Sequence, residues 1–225
     1  MKKILIGLPM LLLAGTAMAE QSVNYGDPTA QFTMGGVSRS SDRTQLNGVV
    51  GWGEGNMVFV DLGLGDKRTA EDKLDYDYRL RYFKVNDGLG YSLDVVGNAD
   101  STTTLAGGMY KFQLSDKVSV FPMLYGGYLD SKHAIEVEGR DSFKNSAIAQ
   151  AGLYAMYAFD GGHWLYANPK ASYVARAKEF VPQLEVGAGY MLSENSSLGL
   201  KLEHTVENKI SDKDTVGWIS FSYYF

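Results

Sequence analysis

The sequence predicts an all-β chain, one antiparallel sheet wrapped into a barrel with strands long enough to cross a bilayer. Three observations carry that expectation. The stretch from Asp214 to Phe225 reads D-T-V-G-W-I-S-F-S-Y-Y-F, with Gly217, Ile219, Phe221, Tyr223 and Phe225 on one face. Val216, Trp218, Ser220, Ser222 and Tyr224 take the other, and a period of two over that length is a strand. The chain also holds 15 tyrosines and 10 phenylalanines, which favour sheets and membrane interfaces, and 26 glycines, which weaken helices. Finally, turn signals cut the sequence into segments of about ten residues, the span of a tilted strand in a membrane.

The elements follow in order. Lys2 and Lys3 precede an apolar run from Ile4 to Ala14 that is interrupted by Pro9 and too short to span as a helix. Ala17-Met18-Ala19 offers small residues for cleavage, so residues 1–19 read as a signal peptide and residues 20–225 as the barrel domain. Twelve strands are expected, at 29–39, 44–53, 57–66, 74–85, 89–99, 103–114, 118–130, 146–159, 163–176, 182–192, 197–208 and 214–225. The first strand and the stretch from Arg176 to Val181 carry the weakest signals, and ten strands remain possible if a hairpin is miscounted.

In 74–85, Leu74, Tyr76, Tyr78, Leu80 and Tyr82 oppose Asp75, Asp77, Arg79 and Arg81. A basic residue facing lipid near the midplane costs roughly 2–4 kcal/mol, so Arg79 and Arg81 turn that face inward. In 89–99, Tyr91, Leu93 and Val95 oppose Ser92, Asp94 and Asn98. In 182–192, Leu184, Val186, Ala188, Tyr190 and Leu192 oppose Gln183 and Glu185. In 197–208, Leu198, Leu200, Leu202 and Val206 oppose Lys201, Glu203, Thr205 and Glu207. Strands 44–53 and 118–130 are apolar on both faces, which leaves their facing open.

The connections alternate. Glu54-Gly55-Asn56, Asn86-Asp87-Gly88, Ser115-Asp116-Lys117, Asp160-Gly161-Gly162 and Ser193–Ser196 are tight turns suited to hairpins. Between them fall longer links, including Asp66–Lys73, Ser131–Asn145 and Asn208–Lys213. Aromatic residues gather beside the tight turns: Trp52, Tyr82, Phe112, Tyr157, Phe159, Trp164, Tyr190, Tyr223 and Phe225, the pattern of an interfacial girdle.

The closing strand resembles that of Gram-negative outer-membrane β-barrel proteins, whose final Phe is read by the barrel-insertion machinery. That resemblance implies export through the periplasm, contact with outer-membrane lipid and lipopolysaccharide, and an insertion signal at Phe221, Tyr223 and Phe225. Length and strand count are similar to the twelve-stranded oligogalacturonate-specific and sialic-acid porins. The dense basic lumen tracks of that family are not evident here.

The inward set comprises Asp61, Asp75, Asp77, Arg79, Arg81, Asp94, Lys111, Lys170, Arg176, Glu185, Lys201, Glu203 and Glu207, with both signs in similar numbers. Such groups need either water or partners. They suit a narrow passive channel for small polar solutes, with these residues lining the pore. The alternative is a plugged structural barrel that binds ligands through the loop Ser131–Asn145. Asp75-x-Asp77 and Arg79-x-Arg81 are the strongest pore-lining pairs.

A net charge of −5 with no basic tract argues against nucleic acid. The lack of cysteine excludes disulfides and thiolate sites. Of three histidines, His204 would face outward near the extracellular rim, where lipid A deacylases carry a His followed two residues on by Ser; here the run is His204-Thr205-Val206. His133 and His163 form no His-Asp set of protease spacing. No phosphate, zinc or calcium motif is present, so no cofactor and no enzyme activity are expected.

Overall fold

A computed structural model describes residues 23–69, 72–137 and 139–225; the expected signal peptide lies outside the described residues. The strands are β1 (Met34–Arg39), β2 (Arg43–Trp52), β3 (Asn56–Arg68), β4 (Leu74–Asn86), β5 (Leu89–Asn98), β6 (Ser101–Tyr110), β7 (Phe112–Gln113), β8 (Val118–Ile135), β9 (Phe143–Ala158), β10 (Trp164–Val174), β11 (Glu179–Ser193), β12 (Ser196–Thr205) and β13 (Asp214–Tyr224). β6 and β7 are one stave broken at Lys111, and both pair with β8. Twelve antiparallel staves result. The ring closes where β1 meets β13, with Met34 opposite Tyr224 and Arg39 opposite Ile219.

Closure follows from the alternation. With every backbone group of a stave paired to a neighbour, no edge is left in the lipid, the condition for a sheet to span a bilayer. The outward face carries Leu46, Val60, Leu62, Leu80, Leu93, Leu124, Leu165, Leu184, Leu200 and Ile219, all exposed. At the end bearing the tight turns and both barrel termini, rings pair on the outer surface: Trp52 with Tyr82, Tyr110 with Phe112, Tyr157 with Phe159 and Tyr223 with Phe225. Short turns mark this end as periplasmic. Asp87 and Gly88 hold φ of 48° and 79°, the paired left-handed geometry of a two-residue hairpin turn.

The staves differ from the sequence reading in instructive ways. The first begins at Met34 rather than residue 29, because residues 23–32 turn into the barrel mouth instead of joining the ladder. β8 runs on to Ile135 and β9 starts at Phe143, so most of the expected Ser131–Asn145 loop is a raised hairpin. The irregular stretch is a four-residue turn, Ala175–Lys178, after which β11 starts at Glu179. The open facings resolve with Val49, Phe121 and Tyr125 buried inside, and Val50, Leu124 and Tyr128 exposed outside.

Two apolar clusters occupy the interior ends. Met57, Phe83, Met109, Phe121 and Met156 pack together in the periplasmic half, joined by Phe59, Tyr154, Trp164 and Tyr166. Trp164 therefore belongs to the interior and not to the girdle. Its place on β10 shares a face with Tyr166 and Lys170, two and six residues on. A second cluster of Val137, Phe143, Val174 and Ala177 gathers the extracellular connections, with Ile210 against it.

Candidate functional site

Between these clusters the lumen is polar, and its groups come from two facing walls. On β2 to β5, strict alternation sends Arg43, Asn47, Asp61, Asp75, Asp77, Arg79, Arg81 and Asp94 inward. Arg43 donates to Asp75 Oδ2 at 2.7 Å and bridges to Asp77. Asn47 donates to Asp61 Oδ1 at 2.8 Å. Arg79 Nη2 reaches Asp94 Oδ2 at 2.8 Å, while Arg81 forks onto both oxygens of the same carboxylate. Asp94 is 3% exposed, so its charge is sustained by two guanidinium groups rather than by water.

On β10 to β13 the inward groups are Tyr166, Lys170, Glu185, Lys201, Glu203 and Trp218. Glu185 and Glu203 stand directly opposite on adjacent staves, an unfavourable like-charge pair. Neighbours offset it. Tyr166 donates to Glu185 Oε1 at 2.7 Å, Trp218 Nε1 donates to Glu203 Oε2 at 2.8 Å, and Lys201 Nζ reaches Glu203 Oε1 at 2.9 Å. Lys201 also sits 5.3 Å from the Trp218 ring centroid. Lys170 lies in the field of Glu185 and Glu203 and of Arg79 and Arg81 from the facing wall, so the two walls interact. A recess of about 170 Å³ opens among Lys170, Gln183, Glu185, Glu203 and Thr205.

This interior is only partly sealed from solvent. Asp75, Asp77 and Glu203 each keep 40% of their side-chain surface exposed although they are ion-paired. Arg79 Nε, Ser92 Oγ, Tyr125 OH and Asn168 Oδ1 are buried without a hydrogen-bond partner, so the polar network of the walls is incomplete.

The expected lining residues fall mostly in one place. Asp61, Asp75, Asp77, Arg79, Arg81, Asp94, Lys170, Glu185, Lys201 and Glu203 line these walls. Lys111 also faces inward but near the periplasmic mouth, where it pairs with Asp27. Glu207 does not belong: β12 ends at Thr205, the chain leaves the ladder, and Glu207 is exposed in the extracellular connection. Arg176 is likewise exposed, in the turn after β10, with its backbone N–H donating to Ser146. His204 lies on the outward face, 2.7 Å from Thr215 Oγ1.

Arg43, Tyr166 and Trp218 escaped the sequence reading. Arg43 is two residues before Gln45 and four before Asn47 on one period-two face, a signal obscured by the apolar residues that follow. Phe221, Tyr223 and Phe225 point outward at the periplasmic end. Among the described residues, no group of three or more His, Cys, Asp or Glu is placed to hold a metal.

No family model and no curated protein sequence matches the chain. Solved structures do. The NanC porin superposes with a TM-score of 0.61 at 11% identity, over 87% of this chain and all of the porin (100%). The KdgM porin, solved also in complex with oligogalacturonate, gives a TM-score of 0.56 at 9% identity, over 86% of this chain and 98% of that one. The fold is that of outer-membrane porins. With its apolar belt and aromatic girdle, the porin-like barrel is an integral outer-membrane protein. The β domain of the Bordetella autotransporter BrkA also matches, at a TM-score of 0.51 and 14% identity, over 87% of this chain and 100% of that domain. Shared architecture thus spans proteins of different names, and function must be argued from the lumen.

Proposed function

We propose that the porin-like barrel is a narrow passive channel for small polar solutes of little net charge. The observation that supports this reading most is the two-sided lumen, whose paired carboxylates Asp75, Asp77 and Glu203 keep 40% of their side-chain surface exposed. Arg43, Arg79, Arg81, Lys170 and Lys201 are interleaved with Asp61, Asp75, Asp77, Asp94, Glu185 and Glu203. A polyanion such as the oligogalacturonate seen with the KdgM porin would need a continuous basic track, and each cation here is matched by a nearby carboxylate. A small solute with hydroxyls, or with one charge of each sign, could exchange its water for these groups at low cost. On the same reading, Phe221, Tyr223 and Phe225 form the edge read during insertion.

Conductance across planar bilayers tests the channel. Replacing Arg79 and Arg81 together by Ser should move ion selectivity toward cations; unchanged selectivity would speak against their control of the path. Correctly folded protein that stays silent both as the full chain and without residues 23–29 would remove the channel reading. The packed periplasmic cluster favours a second reading, a closed barrel that binds ligands through the raised β8–β9 hairpin, and that outcome would leave it standing.

A further inference from the structure

We propose that the segment Val23–Phe32 is a detachable plug seated in the periplasmic mouth, and that its release opens the lumen. The inference rests on the channel reading above and adds a gate to it.

The geometry of the mouth carries the proposal. On the β12, β13 and β1 side, below Lys201 and Trp218, the inward positions are small: Ser197, Gly199, Ser220, Ser222, Gly36 and Ser38. The opposite side is filled by the methionine and aromatic cluster around Phe83 and Phe121. At the bottom of the small-residue strip, Tyr25 stacks on Tyr224 with centroids 3.5 Å apart, and Phe32 meets both rings edge-on at 5.5 and 5.8 Å. Three aromatic rings therefore close the side that the packed cluster leaves without large side chains.

The segment is latched, yet it is not part of the sheet. Tyr154 donates to the Gly26 carbonyl at 2.8 Å, Lys111 pairs with Asp27 at 2.5 Å, and Gln31 accepts from the Gly55 N–H at 3.0 Å. Gly26 presses against Trp164 so closely that a Cβ would fall 2.3 Å from its Cγ, and only glycine fits. Ladder pairing begins at Met34. Thr33 is the pivot, its carbonyl accepting from the Phe225 N–H at 3.0 Å and its hydroxyl from the Gly51 N–H at 3.2 Å. Everything before Thr33 can leave without breaking a single rung of the barrel. Beside the segment a vestibule of about 1040 Å³, lined by Val23, Tyr25, Lys117, Phe159 and Glu194 among others, gives it room to withdraw.

The natural absence of cysteine makes a reversible lock practical. The ideal Gly26 Cβ lies 2.8 Å from Trp164 Cβ, so a Gly26→Cys, Trp164→Cys pair needs to open by only about 1 Å to reach disulfide geometry. In bilayers, the oxidised pair should conduct poorly and the same molecules should gain several-fold on reduction. A variant lacking residues 23–29, checked for heat-modifiable migration, should conduct several-fold more than the full chain. The gate is overturned, with the channel intact, if oxidation, reduction and deletion all leave conductance at the full-chain level. Silence in every form, including the deletion, would overturn the channel reading and the gate with it.

Discussion

Asp94 shows how much one side chain can organise in this lumen. It is nearly sealed from water and takes three hydrogen bonds from Arg79 and Arg81. Asp94→Ala leaves two guanidinium groups in a tight space without their anion, a loss of about 3 kcal/mol. It should appear as a lower urea midpoint for unfolding from detergent, whereas Glu207→Ala, out in the connection, should leave that midpoint unchanged. The contrast also marks what could be read from the sequence. Asp75, Asp77, Arg79 and Arg81 were legible because charge and alternation agree over a whole strand. Glu207 was misplaced because the period of two continues past Thr205 in sequence while the backbone departs from the ladder. Trp164 was misplaced because an aromatic beside a tight turn suits the girdle and the interior equally; only its phase with Tyr166 and Lys170 separates them.

At the level of one stave, β12 offers an internal control. Leu200 is 63% exposed toward lipid, and its neighbour Lys201 points to Glu203 and Trp218 inside. Leu200→Arg should cost roughly 2–4 kcal/mol in a bilayer-unfolding titration. Lys201→Met should cost less, because it keeps the packing on Trp218 and the Glu203 pair and cation–π contact it loses are partly exposed to water. Equal penalties would mean that the facing of β12 is wrong. The staves themselves were legible from turn chemistry, since Asp87-Gly88 and its counterparts punctuate each hairpin. Their extracellular ends were not. Between Asp130 and Phe143 the chain keeps pairing beyond the membrane through a register shift, held by Phe143 and Val137 in the outer cluster, and nothing in local composition marks where it stops.

For the molecule as a whole, the same alternation that closes the barrel divides its interior into an apolar floor, a charged middle and an apolar outer cap. The middle is close to neutral, so ionic strength should change conductance mainly through bulk carrier density, with weak selectivity for either sign in the full chain. Reversal potentials in a salt gradient measure this directly; a strong anion preference would contradict the balanced walls. The porin-like barrel fold was legible in the closing strand and the hairpin rhythm. The seated N-terminal segment was not, because Phe32 and Thr33 carry strand-forming side chains and continue naturally into β1. What diverts them is a tertiary pocket made of Tyr154, Trp164 and Tyr224, residues far away in sequence.

That pocket has a temporal consequence. Tyr224 lies on the final stave, synthesised long after Tyr25, and the Thr33 pivot depends on Phe225 as well. The segment can dock only once the first and last strands have met. Docking is thus a marker of completed assembly: nascent or half-inserted molecules should be clipped by protease between Val23 and Phe32, and mature ones spared.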